Sequence, residues 1–265
     1  MGIAREAVRA EVSALRDESR DQRGAFLPSH QRVAPSPHDP SSPTPHSLTP
    51  APIRYLELDV TEDCVLRCTY CFRRNKQPHR MSWETAKAAV DWFMEASGDQ
   101  KRISIYFFGG EPLMCFDLIK QVVPYAEREA AKRGKRVHCG ATTNAVLVDE
   151  EVIKFWREHG MSFNTSIDGT PECHDRFRRF PDGRGSYTYV ERGVRQVLAY
   201  RPQTTARCTL HPENAHRALE SVLNLVKVGY ENIPLIAIDD CPWTEEQYAA
   251  YREQLAKLSD LFIAR

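Results

Sequence analysis

The sequence predicts an α/β protein whose parallel strands curl into a full or partial barrel. Three observations carry that reading. From Tyr55 onward, short apolar runs alternate six times with longer amphipathic stretches, the pattern of βα units in series. Each of the first four runs delivers glycines or polar residues to its end, and barrels of this kind keep their chemistry on the loops at the C-terminal ends of the strands. Three of the eight cysteines fall together immediately after the first run, in CVLRCTYC at 64–71.

The elements follow in chain order. Residues 1–22 place Val8, Val12 and Leu15 on one helical face, but the composition favours a frayed, solvated terminus. Residues 24–52 hold eight of the 17 prolines together with many serines, and cannot bury enough apolar surface to offset their ordering entropy. A disordered arm is therefore expected over 1–52, and a core domain over 53–265. Strands are expected at 55–60, 102–110, 136–144, 161–169, 204–210 and 231–240. Helices are expected between them and after the last, at about 83–97, 116–133, 149–159, 186–200, 214–228 and 244–263. In the first helix Ala86, Val90, Phe93 and Ser97 recur at helical spacing behind Ser82, a good N-cap residue. Right-handed crossovers then set the strands side by side.

Composition narrows the class. Lysine plus arginine equals aspartate plus glutamate, 36 against 36, so charge supports neither a nucleic-acid nor a membrane partner. No apolar run approaches the roughly 20 residues a membrane helix needs, and the start of the chain is charged where a signal peptide would be greasy. A cytoplasmic protein is expected. In a reducing compartment, clustered thiols point to metal or catalysis rather than to a disulfide scaffold.

Cys64, Cys68 and Cys71 are spaced CxxxCxxC, and one compact loop can bring all three around a single metal centre. Structural zinc wants four ligands in two pairs, and no second pair exists. Cubane iron–sulfur clusters ordinarily take four cysteines, so three leave one iron open to a substrate or cofactor. The bland alternative is three cysteines lining one buried helical face. Cys115, Cys139, Cys173, Cys208 and Cys241 are isolated, as small buried hydrophobes are.

With Tyr70 before its last cysteine, the loop resembles the cluster motif of radical S-adenosylmethionine (radical SAM) enzymes. FFGGEPLM at 107–114, TTNAVLVDEEV at 142–152, SIDGTPECHDRFR at 166–178 and GSYTYVERGV at 185–194 are similar to the peptide-modifying branch. That branch includes the anaerobic sulfatase-maturating enzymes and the SPASM-domain maturases. The resemblance covers about 52–263. It implies a partial (β/α)6 radical SAM barrel, a [4Fe-4S] cluster on Cys64, Cys68 and Cys71, and S-adenosylmethionine (SAM) chelated to the open iron. It further implies reductive cleavage of SAM to a 5′-deoxyadenosyl radical that takes hydrogen from a peptide or protein substrate, with electrons from a donor such as a flavodoxin or ferredoxin.

By the same resemblance Gly109 and Gly110 let backbone approach SAM, Glu111 sits near its amino group, and Ser166 and Arg178 contact its ribose or carboxylate end. Asn144 lies in or beside the pocket. Asp168 is either a cofactor contact or a turn-former beside Gly169. Tyr70 and Phe72 shield the cluster, pack on adenine, or simply fill core. His174 and Asp175 are proton carriers or local hydrogen-bonding groups, and Arg73 and Arg74 guide a reductant or form a solvated pair. Members of the branch usually continue into a cysteine-rich extension holding auxiliary clusters; no cysteine follows Cys241, so one cluster and a core domain are expected. A small-metabolite substrate and a core that acts only with a partner remain the alternatives.

Deleting residues 1–50 is expected to leave the melting temperature and SAM cleavage unchanged, because the proline-rich arm offers no core. A large fall in melting temperature would show that the arm docks on the barrel.

Overall fold

The computed structural model describes residues 52–73 and 76–263. The expected arm (apart from Pro52), the helix considered for 1–22, and Arg74 lie outside the described residues. Six strands form one sheet in chain order: β1 (Tyr55–Thr61), β2 (Arg102–Gly109), β3 (Arg136–Thr143), β4 (Ser162–Ser166), β5 (Thr205–Leu210) and β6 (Leu235–Ala237). Every neighbouring pair is parallel, and β1 and β6 are the two edges. The expected α/β class and partial barrel are therefore what the chain forms.

The connecting helices are α1 (Trp83–Ala96), α2 (Phe116–Lys132), α3 (Glu150–Glu158), α4 (Pro171–Phe177), α5 (Tyr187–Tyr200), α6 (Ala218–Val228) and α7 (Glu245–Ile263). Their ends carry the chemistry that helix ends require. Ser82 accepts a hydrogen bond from the Thr85 amide at the start of α1, and Asp149 accepts from the Val152 amide at the start of α3. Gly229, at φ +117°, closes α6 in the left-handed region.

Strand alternation decides what is core. Leu58 and Val60, Ile103, Ile105 and Phe107, Ala141, Phe163, and Ala206 and Cys208 turn to one face and join Val90, Phe93, Ile119, Val122 and Val194 in one apolar cluster. Trp156 of α3 stacks on Phe163 with ring centroids 3.3 Å apart. The opposite face carries Glu57, Tyr106, Thr142, Asn164, Ser166, Arg207 and Thr209, none of them fully buried. Parallel sheets usually bury both faces, and closed barrels fill their interior with apolar layers. Here the inner face stays polar and accessible, so the space it encloses is a cavity rather than a second core.

Three expectations shift. The strand expected at 231–240 shrinks to three residues, because Pro234 lacks an amide proton and cannot continue the ladder. The strand expected at 161–169 stops at Ser166, before Gly169 turns the chain at φ +73°. Helix α4 was not expected; at seven residues it is too short to show periodicity, although Thr170 as N-cap followed by Pro171 marks its start.

Phe107 is fully buried in the cluster between sheet and helices. Phe107→Ala is expected to lower unfolding free energy by about 3–5 kcal/mol in urea titration, through lost transfer energy and an unfilled cavity.

Candidate active site

The loop leaving β1 is braced before any ligand is considered. Thr61 Oγ1 accepts from the Asp63 amide at 3.1 Å, and Asp63 Oδ1 accepts from the Cys64 amide at 2.8 Å. The Arg67 amide donates to the Arg179 carbonyl at 2.7 Å and the Thr69 amide to that of Phe177 at 2.9 Å, fixing the loop to the end of α4. The Arg67 guanidinium folds back onto the carbonyls of Cys64 and Leu66 at 2.6 and 3.1 Å.

This frame brings Cys64, Cys68 and Cys71 to the wall of one cavity of about 460 Å³, within the roughly 300–1,000 Å³ range of small-molecule sites. Burial pushes the Cys64 thiol up to about 12 and raises that of Cys68. A bound metal reverses such shifts, since it deprotonates a coordinating thiol outright. Among the described residues no group of three or more His, Cys, Asp or Glu is placed to hold a single metal ion. A cubane is a different object: its thiolates bind separate irons and stand apart. The sulfurs also meet donors of the kind that tune such clusters. Cys64 Sγ accepts from the Leu66 amide at 3.3 Å and from Asn144 Nδ2 at 3.5 Å, and Cys71 Sγ accepts from Lys76 Nζ at 3.1 Å. The donor set thus fits an iron–sulfur cluster.

The glycines after β2 have an immediate steric reason. A Cβ on Gly109 would stand 2.3 Å from the Thr61 carbonyl oxygen, and one on Gly110 would stand 2.1 Å from that of Asp63. Glycine lets the β2 turn lie against the backbone of the cysteine loop, and the Gly110 amide donates to the Thr61 carbonyl at 2.7 Å. Both glycines line the cavity.

Glu111 points elsewhere than the resemblance implied. It is fully buried and absent from the cavity wall. Its Oε1 accepts from the Leu113 amide at 3.1 Å and from Thr143 Oγ1 at 2.7 Å, and its Oε2 accepts from the Asn144 amide at 2.8 Å. Burial pushes its pKa up to about 7 against those donors. Glu111 therefore ties the β2 turn to the end of β3, and Asn144, held by it, presents its own amide to Cys64.

Asp168 is likewise neither a cavity contact nor a mere turn-former. Its carboxylate accepts from Arg178 Nε at 2.7 Å and Nη2 at 3.1 Å, from the Thr209 amide at 2.9 Å, and from the Tyr70 hydroxyl. The Asp168 amide donates to His174 Nδ1 at 3.2 Å, and His174 Nε2 lies 3.0 Å from Ser186 Oγ, which donates to the Arg178 carbonyl at 2.8 Å. Because Nδ1 accepts and Ser186 spends its proton on Arg178, Nε2 carries the hydrogen and the ring is neutral. Burial pulls its pKa down to about 3. Of the two residues weighed as proton carriers, His174 is a buried positioning group and Asp175 accepts from the Tyr187 amide at 2.8 Å.

Tyr70, Phe72, Asn144, Ser166 and Arg178 line the cavity, Phe72 with 69% of its surface exposed, so it is not core filling. Cys115, Cys139, Cys173 and Cys208 are buried apart from this wall. The sequence reading missed Lys76, Arg207, Thr209, Asp239 and Asp240, which also line it. Arg207 and Thr209 were visible as alternate residues of TTARCTL; Lys76 sits in an irregular loop with no periodic signal.

The model of the radical SAM superfamily matches residues 58–226, more than half of the chain. The chain belongs to the radical SAM superfamily. A [4Fe-4S] cluster and SAM are the cofactors that radical SAM membership implies. An uncharacterized protein of Methanocaldococcus jannaschii is 29% identical over 181 residues, covering 68% of this chain and 61% of that protein. The Fe-coproporphyrin III synthase of Methanosarcina barkeri is 29% identical, covering 67% and 41%, and a cysteine-type anaerobic sulfatase-maturating enzyme of Clostridium novyi is 26% identical, covering 63% and 46%. The chain thus spans between 41 and 61% of the length of these relatives. Among solved structures, anSMEcpe with bound AdoMet and the Cp18Cys peptide superposes with a TM-score of 0.69 at 19% identity, covering 79% of this chain and 61% of that one. SuiB of Streptococcus suis, bound to precursor peptide SuiA, gives 0.57 at 14%, covering 80% and 47%. The fold is that of anSMEcpe and SuiB, and the Clostridium novyi relative agrees with the sulfatase-maturating branch of the superfamily.

The neutral His174 makes a pH prediction for this radical SAM core. Its folded pKa lies below the unfolded value of about 6.5, so its contribution is fully present above that pH and is lost as pH falls toward 3. Unfolding free energy is expected to decline below pH 6.5 with a His174 component of up to about 1.4 kcal/mol per pH unit. His174→Gln should remove that component; an unchanged slope in denaturant titrations across the range would refute the assignment.

Proposed function

We propose that this chain is the catalytic core of a radical SAM enzyme that modifies a peptide or protein substrate. The observation that carries the reading is the meeting of Cys64, Cys68 and Cys71 on a cavity that also receives the ends of the strands. Cys64, Cys68 and Cys71 would hold three irons of the cluster and leave the fourth open. When bound, the cluster and SAM supply an electron and a carbon–sulfur bond whose cleavage yields methionine and a 5′-deoxyadenosyl radical for hydrogen abstraction.

The chain's own residues do the positioning. Gly109 and Gly110 keep the cavity wall next to the cysteine loop free of side chains. Ser166 offers a hydroxyl, Asn144 a hydrogen bond to Cys64, and Arg178 a charge held in place by Asp168. Tyr70, bonded to the same carboxylate, fixes the loop between Cys68 and Cys71. Glu111 and Asp168 act through these neighbours and not by touching SAM. The electron donor would be a small redox protein such as a flavodoxin or ferredoxin, and the setting the cytoplasm; among the described residues no helix is long and apolar enough to cross a membrane.

The sulfatase-maturating relatives, and the peptides held by anSMEcpe and SuiB, support the peptide reading. The Fe-coproporphyrin III synthase relative supports a second, in which the substrate is a small molecule.

Protein reconstituted anaerobically with iron, sulfide and dithionite is expected to convert SAM to 5′-deoxyadenosine and methionine. Replacing Cys64, Cys68 and Cys71 together by alanine should abolish both the cluster's visible absorbance and the cleavage. Replacing Cys115, Cys139, Cys173, Cys208 and Cys241 should leave about four irons per chain. Cluster-loaded protein that forms no 5′-deoxyadenosine would sink the proposal, and iron–sulfur absorbance surviving in the triple variant would reveal a second site.

A further inference from the structure

Four cationic side chains line the cavity: Arg73, Lys76, Arg178 and Arg207. Three are engaged. Arg73 pairs with Asp59, Lys76 donates to Cys71 Sγ, and Arg178 is clamped on Asp168. Arg207 has no hydrogen-bond or ion-pair partner for its guanidinium among the described residues. It stands on β5 with its side chain on the inner face, in register with Ser166 of β4. Thr209, two residues nearer the rim, meets Arg178 and Asp168. Arg207 is thus about 6.5 Å further in along the strand, and its charge opposes the upward shift that burial imposes on the Tyr106 phenol of β2.

A partly buried guanidinium without an anion is half of an ion pair. Its planar fork matches a carboxylate through two parallel hydrogen bonds. The surrounding inner face offers the side chains of Thr205, Asn164 and Tyr106, polar groups suited to a polar guest. In the reading just given SAM occupies the rim and reaches down to Ser166, so a guest held by Arg207 lies on the inner side, toward Asn164 and Tyr106. We propose that Arg207 anchors a carboxylate of the substrate, in the first instance the side chain of a glutamate or aspartate in the peptide, and thereby fixes which residue is presented for hydrogen abstraction. The proposal rests on the peptide reading for the identity of the carboxylate's carrier, and on the structure for the carboxylate itself.

The test uses cluster-loaded full chain with SAM present, and three probes: N-acetyl-Gly-Glu-Gly-amide, its Gln counterpart, and glutarate. The wild-type protein is expected to bind the Glu peptide about tenfold or more tightly than the Gln peptide. Arg207→Met should erase that preference and Arg207→Lys should restore part of it, a rescue that misfolding would not give. Glutarate bound in an Arg207-dependent way while neither peptide binds would keep the carboxylate anchor and defeat the peptide reading. Equal affinity for the two peptides, a preference that survives Arg207→Met, or no binding of any of the three probes overturns the proposal. So does a Met variant whose main defect is SAM affinity with the Glu preference intact, which would assign the guanidinium to the cofactor.

Discussion

The carboxylate of Asp168 is the point on which the site's geometry turns. It gathers the guanidinium of Arg178, the amide of Thr209 and the hydroxyl of Tyr70, which come from the end of α4, from β5 and from the cysteine loop. An aspartate buried among such donors holds them by charge-assisted bonds that water would otherwise weaken. The neutral His174 keeps the Asp168 backbone in place from behind, so a single residue type at one position fixes three separate chain segments. Lose the charge, and Arg178 becomes an unpaired buried cation, Tyr70 loses its acceptor, and the loop carrying Cys68 and Cys71 is freed at one end.

Glu111 does the corresponding work on the opposite side of the cavity. It locks the β2 turn to the end of β3, and through the Asn144 amide it reaches Cys64. The two buried carboxylates thus flank the three thiols without facing the cavity. This division explains why glycine is needed at 109 and 110: the two braced segments approach so closely that backbone touches backbone. Rigidity around the thiols comes from buried, hydrogen-bonded carboxyl groups and from close main-chain contact.

Much of this was legible in the sequence, for identifiable reasons. The alternation in YLELDV and RISIYFFGG set both the strands and the face each would bury, because a pleat leaves only two choices. The spacing of Cys64, Cys68 and Cys71 needed only a short loop to become a site. What stayed hidden was direction. Glu111 and Asp168 were singled out, but the partners that turn them away from the cavity lie 33 and 41 residues along the chain at the Asn144 and Thr209 amides, and 98 residues away at Tyr70. No local pattern encodes such a pairing. Arg207 was missed for the converse reason: its place in TTARCTL marks its face, but the strand-end signals lie beyond it, and Arg207 stands inside β5 short of its end.

That curl separates two burdens that most proteins mix. The helix-facing residues of the strands carry the apolar packing, while Tyr106, Thr142, Asn164, Ser166 and Arg207 on the other face contribute little to it. Surface substitutions away from core, caps and buried networks usually shift stability by about half a kilocalorie or less. Exchanges at the accessible positions of this wall therefore leave the helix-side packing untouched, so the guest can change while that packing stays. The same property marks this wall, Ser166 excepted, as the place to randomise when a new guest is wanted on an unchanged scaffold.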